Sequence, residues 1–136
     1  MTIQLDVPTR NAMMNAIEVV NGASCSLDIR SEAPPAACSS TDVGDLLVHI
    51  LLPADWMNDA AAGAKTLKGS WVDASADGDG TAGHFRVYNS QAVMNETTCF
   101  MQGTCTAGGD MTLDNYVIAA GQPVTITGFT LTDGNS

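Results

Sequence analysis

Apolar residues Ala12, Met13, Ala16, Ile17 and Val20 recur three and four positions apart, the spacing that aligns side chains along one stripe of a helix. Asp6 or Thr9 supplies a cap, Pro8 suits a first turn, and Asn21-Gly22 supplies a left-handed stop. This predicts a helix over Thr9 to Val20, preceded by a short extended arm. Beyond Gly22 the period changes to two. Cys25, Leu27 and Ile29 alternate with Ser26, Asp28 and Arg30, which is the mark of a half-buried strand. Further strands are expected at 46–52, 69–73, 84–88, 98–106, 111–113, 116–119 and 124–131. The run from Leu46 to Leu52 is apolar on both faces and is read as a central strand. Residues 54–65 form a short helix or a turn.

Alternation also assigns faces. Phe85 and Val87 lie opposite His84, Arg86 and Tyr88; Cys99, Met101, Gly103 and Cys105 lie opposite Phe100, Gln102 and Thr104. In the closing segment Val124, Ile126 and Gly128 alternate with Thr125, Thr127 and Phe129. EAPPAACSSTDVGD, residues 32–45, is a loop by composition, and SADGDGTAG, residues 75–83, is a long polar turn. Short strands separated by turn signals every eight to twelve residues or so fit an antiparallel sandwich, jelly-roll-like in outline. No helical patterns alternate with the strands, which excludes a parallel α/β fold. The expected organisation is an arm and helix over residues 1–22 and a β-sandwich domain over 23–136.

Charge narrows the function. Fifteen acidic residues face five basic ones, Arg10, Arg30, Lys65, Lys68 and Arg86, for a net charge of −10. Such a surface repels phosphate backbones, so nucleic acid is not an expected partner. Nor is a membrane, because no apolar run nears the roughly 20 residues of a spanning helix. The opening MTIQLDVPTRNAMM has no basic region followed by an apolar stretch and does not read as a secretory signal. Charged residues are only 15% of the chain, against about 25% in ordinary soluble domains; a surface this poor in charge suits coverage by a partner.

Reactive motifs are scarce. Cys25, Cys38, Cys99 and Cys105 have no metal-ligand spacing and read as reduced thiols packed as small apolar groups. Asp73, Ser75, Asp77 and Gly78 occupy calcium-loop positions, but His84 stands where the closing Glu belongs; tight-turn geometry at a hairpin tip accounts for the same residues. There is no GxSxG elbow to pair with a histidine. His49 is read as a hydrogen-bonded core or interface residue, and His84 as exposed at a strand start. Trp56, Trp71, Tyr88 and Tyr116 make a sugar platform if they share an exposed face, and core packing otherwise. No catalytic residue, cofactor or metal site is assigned.

The blocks RNAMMNAIEVVNG, LPADWM, GSWVDASADGDGTAGHFRVYNS and GDMTLDNYVIAAGQPVTITGFTLTDG resemble small proteins encoded in the structural modules of tailed bacteriophages and prophages, which are taken as virion components. GTAGHFR and DMTLDN are the most specific parts; the cysteines and a lengthened turn in QAVMNETTCF depart from the pattern. The resemblance implies a virion role without saying which part of the particle. With a rigid β body, weakly charged flanks and an arm, the expectation is a non-enzymatic decoration (cement) subunit on the capsid exterior, made in the bacterial host cytoplasm. Its partners would then be the major capsid protein and further copies of itself, a homotrimer being one closed arrangement. The alternatives are a tail or head–tail connector component and a carbohydrate-binding host-attachment module. Partner contacts are expected at Ile3, Leu5 and Val7, at Arg10, at Met13 and Ile17 on the helix, and at Asp77, Asp79 and His84 around the polar turn.

Overall fold

The computed structural model describes residues 3–132, so the first two residues of the expected arm and the last four of the chain lie outside the described residues. Among the described residues one helix, α1 (Val7–Asn21), precedes ten short strands. These are β1 (Ser26–Arg30), β2 (Leu46–Leu51), β3 (Ala64–Thr66), β4 (Val72–Asp73), β5 (Gly80–Thr81), β6 (His84–Tyr88), β7 (Cys99–Thr104), β8 (Met111–Leu113), β9 (Val117–Ile118) and β10 (Val124–Thr132). The chain is mainly β, with an N-terminal helix and antiparallel sheets in a sandwich-like arrangement. The first sheet runs β2-β1-β6-β7. The second runs β3-β10-β4, with β8 also paired to β10, and β5 and β9 form a separate ladder.

The core is aromatic at its centre. Trp56 and Trp71 are sealed from solvent with ring centroids 6.3 Å apart; Trp71 meets Phe129 at 5.8 Å, and Phe129 meets Phe85 edge-on at 5.4 Å. Phe85 belongs to β6 and Phe129 to β10, so this contact joins the two sheets. Leu27, Ile29, Val87, Val124, Ile126 and Met111 fill the space around it. Edge-to-face rings contribute about 1 kcal/mol beyond their area burial.

Two β-bulges overturn the strict alternation expected of β10 and β7. Between Ile126 and Gly128 the register of β10 on β8 shifts, which brings Phe129 into the core with Val124 and Ile126. Between Val87 and Tyr88 the register of β6 on β7 shifts, so Cys99 lies opposite Tyr88 while Met101 lies opposite Val87. Paired residues share a face, so Cys99 turns outward with Tyr88 whereas Cys105 is in the core. The shared face expected for these two cysteines is therefore broken by one extra residue.

Two further expectations are corrected. β2 is an edge strand, not a central one. It tolerates apolar residues because its open edge is covered: Asp73 Oδ2 accepts from His49 N at 3.1 Å and Leu47 O accepts from Asp77 N at 2.8 Å. The polar stretch 75–83 is not a hairpin tip, because it carries the chain from β4 in one sheet to β6 in the other. For residues 54–65, expected as a short helix or a turn, the second alternative holds: they turn and enter β3.

Gly83 shows how closely the chain leaving β1 passes the start of β6. Its N–H donates to Arg30 O at 2.9 Å, and a Cβ built there would sit 2.0 Å from Glu32 O. Only glycine fits.

Candidate functional site

α1 is capped as its sequence directs: Asp6 accepts from Thr9 N at 3.0 Å, and the Gly22 N–H donates to Glu18 O at 2.8 Å with φ at +79°. Its seat is unusual. The side chains turned to the body are largely polar. Asn11 Oδ1 accepts from Gly63 N at 2.9 Å, and Asn15 Oδ1 accepts from Ala60 N at 2.8 Å and from Lys65 Nζ at 3.1 Å. Lys65 is sealed beneath the helix; its ammonium also donates to Asn58 O at 2.8 Å and pairs with Glu18 at 2.6 Å. Met14 is buried and Ile17 packs against the core, but Met13, Val19 and Val20 are 56%, 82% and 78% exposed.

The apolar stripe expected from spacing is thus divided. Ile17 belongs to the protein's own core, while Ala12, Met13, Ala16 and Val20 face solvent. The reason is local: the turn before β3 presents backbone donors and a lysine, and asparagine and glutamate carbonyl or carboxylate oxygens satisfy them. Ile3 and Val7 are also exposed, and Leu5 and Arg10 are half-buried. An exposed, apolar helix face without charge is the surface feature this architecture leaves over.

Asp77 and Asp79 stand exposed on the crossover, the latter accepting from Ala120 N at 2.7 Å. They rest near Leu47 and Ala120, whereas α1 is tied to residues 58–65, so the expected contact residues form two groups and not one surface. His84 belongs to neither. It is fully buried, a correction to its expected exposure: segment 31–45 folds over the outer face of the first sheet, and His84 Nδ1 donates to Glu32 O at 2.9 Å. Burial first, then the Arg86 and Arg30 charges, lower its pKa, while the bond to Glu32 opposes them.

Under the same segment lies a polar layer. Asp42 accepts from Arg86, and from Tyr88 Oη at 2.9 Å, with Arg30 3.6 Å away. Arg86 and Tyr88 are completely buried, and Arg86 also donates to Cys38 O at 2.5 Å. Burial raises the Tyr88 pKa, the Asp28 and Asp42 charges adding to it. Asp28 Oδ1 lies 2.6 Å from His49 Nδ1; burial raises the Asp28 pKa against the pull of His49 and Arg30. Histidine and aspartate in contact are two members of a hydrolytic triad, but among the described residues no Ser, Thr or Cys side chain hydrogen-bonds His49.

The sugar platform does not form. Trp56, Trp71 and Tyr88 are buried and Tyr116 packs against the core, so core packing is the use the fold makes of them. In the acidic stretch Asp73 spends one oxygen on Ser75 N at 3.0 Å and the other on His49 N. Among the described residues no three Asp, Glu, His or Cys side chains are grouped to hold a metal ion.

Compared with models of known families, with curated proteins and with solved structures, the chain matches none. No helix among the described residues is long and apolar enough to cross a membrane.

Proposed function

We propose that this chain is a non-enzymatic structural component of a tailed-bacteriophage virion, and within that class a capsid decoration protein. The observation that carries the reading is the outward face of α1. A helix on a self-sufficient monomer turns its apolar stripe inward and its polar residues to water. Here Asn11, Asn15 and Glu18 share the inner side with Met14 and Ile17, and Met13, Val19 and Val20 are left to solvent. Burying those three side chains on a partner contributes roughly 1.5–3 kcal/mol each when fully covered. The resemblance to phage structural-module proteins, on the blocks quoted above, supplies the kind of assembly.

In this reading the β body is a rigid plug, α1 and the residues before it contact the major capsid protein or neighbouring copies, and the subunit sits on the capsid exterior. A low charge density suits a surface covered on assembly, and the acidic balance suits a protein that avoids packaged DNA. Quantitative mass spectrometry of purified particles tests it. A copy number near that of the major capsid protein is expected. A handful of copies assigns the chain to a tail or connector, and absence from particles overturns the virion reading.

A further inference from the structure

Segment 31–45 has no regular structure, yet side chains of the first sheet hold it down. Gln102 Nε2 donates to Pro35 O at 2.7 Å, Arg86 to Cys38 O at 2.5 Å, and Tyr88 to Asp42 at 2.9 Å. Cys38 lies in the middle of these anchors. Cys99 reaches the same place from β7, because the bulge sets it opposite Tyr88 on the outer face. Its thiol donates to Met101 O at 3.5 Å, and the Cys38 thiol and the Arg86 guanidinium are its electrostatic neighbours. Both cysteines are half-buried free thiols, whereas Cys25 and Cys105 are completely buried. Arg86, bonded to the Cys38 carbonyl and neighbour to Cys99, thus brings together two cysteines from elements far apart in the chain, on the side of the sheet that carries the covering loop.

We infer that Cys38 and Cys99 are a site of reversible oxidation, closing to an intramolecular disulfide that fastens segment 31–45 to β7. The oxidant is a low-molecular-weight disulfide such as oxidised glutathione. One cysteine loses its proton to solvent, and the thiolate attacks a glutathione sulfur, expelling one glutathione thiolate and leaving a mixed disulfide. The second cysteine, deprotonated in turn, attacks the protein sulfur of that mixed disulfide and expels the second glutathione thiolate. Both leaving thiolates take up protons, so two cysteine thiols and one oxidised glutathione become one protein disulfide and two glutathione molecules. Two electrons pass from the cysteines to glutathione. Burial holds the Cys99 thiol up at about 11, opposed by the Arg86 charge, so the exchange is slow at neutral pH and faster in mild alkali. This inference is independent of the virion reading.

The test incubates the folded full-length chain with oxidised glutathione, then counts thiols in denaturant and maps the peptides by mass spectrometry. The expected result is a fall from four free thiols to two, with a peptide pair joined through Cys38 and Cys99. The oxidised chain melts roughly 5–15 °C higher, since the bond closes a long loop. Cys38→Ser and Cys99→Ser each abolish the joined pair. Four thiols persisting in the wild-type chain, a crosslink through Cys25 or Cys105, or glutathione retained on Cys38 with Cys99 unreacted overturns the inference. All three outcomes are read on the wild-type chain, so no variant has to fold.

Discussion

Glu18 and Lys65 meet 2.6 Å apart beneath α1, with the lysine sealed from solvent. The pair decides which way the helix faces. Glu18 must point inward to reach the ammonium, and the residues that follow it, Val19 and Val20, are thereby carried round to water.

Removing one member of this pair leaves the other charge without its counterpart in a dry site. Glu18→Gln is expected to cost about 3 kcal/mol, read as a lower midpoint in denaturant with little change in slope. Lys65→Met, which removes the buried charge but also its bonds to Asn15 and Asn58, is expected to cost less than Glu18→Gln. The reverse order would show that hydrogen bonding, not charge pairing, seats the helix.

Val19→Ser and Val20→Ser combined are expected to leave the monomer's stability within about 0.5 kcal/mol of wild type, because both residues are exposed. Incorporation into particles, or self-association by analytical ultracentrifugation, is expected to fall at least roughly tenfold, the equivalent of about 1.4 kcal/mol. A loss of stability with unchanged assembly would argue that the face is used within the chain.

Asp42 collects Arg86, Tyr88 and Arg30 under segment 31–45. Asp42→Ala strands a fully buried guanidinium and is expected to cost about 3–5 kcal/mol. Hydrogen exchange should then locate the loosening at residues 31–45 and spare β10.

His84 gives a pH signature. Its folded pKa is lowered from 6.5, chiefly by burial, so on acidification the unfolded chain takes up the proton first. Stability is full above the ordinary histidine range and declines as pH falls from about 6.5 toward the folded value. Asp28 acts oppositely: its carboxyl is raised from 3.8 by burial, so its contribution is lost as pH rises through that raised value. The difference between wild type and His84→Asn in denaturant melts from pH 7 to 4 isolates the histidine. Parallel curves would show that His84 carries no linkage.

The legible part of the sequence was whatever depends on neighbours in the chain. Asp6, Pro8 and Gly22 mark α1 because capping is local, although the helix extends from Val7 to Asn21 and not only over 9–20. The strand runs and the loop at 32–45 follow from period and composition. β3 was missed because its residues, Ala64, Lys65 and Thr66, have no alternation of their own and are strand only by pairing with β10. Expected contact residues were legible only by type: no local signal says that Met13 faces solvent, that Ile17 packs inward or that His84 lies under a loop.

Alone, the sequence determined a mainly β chain with one capped helix, because caps, turns and periodicity act over a few residues. Tertiary structure decided the phase of each face and the identity of its cover. Two bulges move Phe129 inward and Cys99 outward, a buried lysine rotates α1 until its valines face water, and a composition-bland loop hides Arg86 and Tyr88. Each of these turns on a partner distant in sequence. A single inserted residue or a single charge then exchanges inside for outside, and no local pattern encodes that choice.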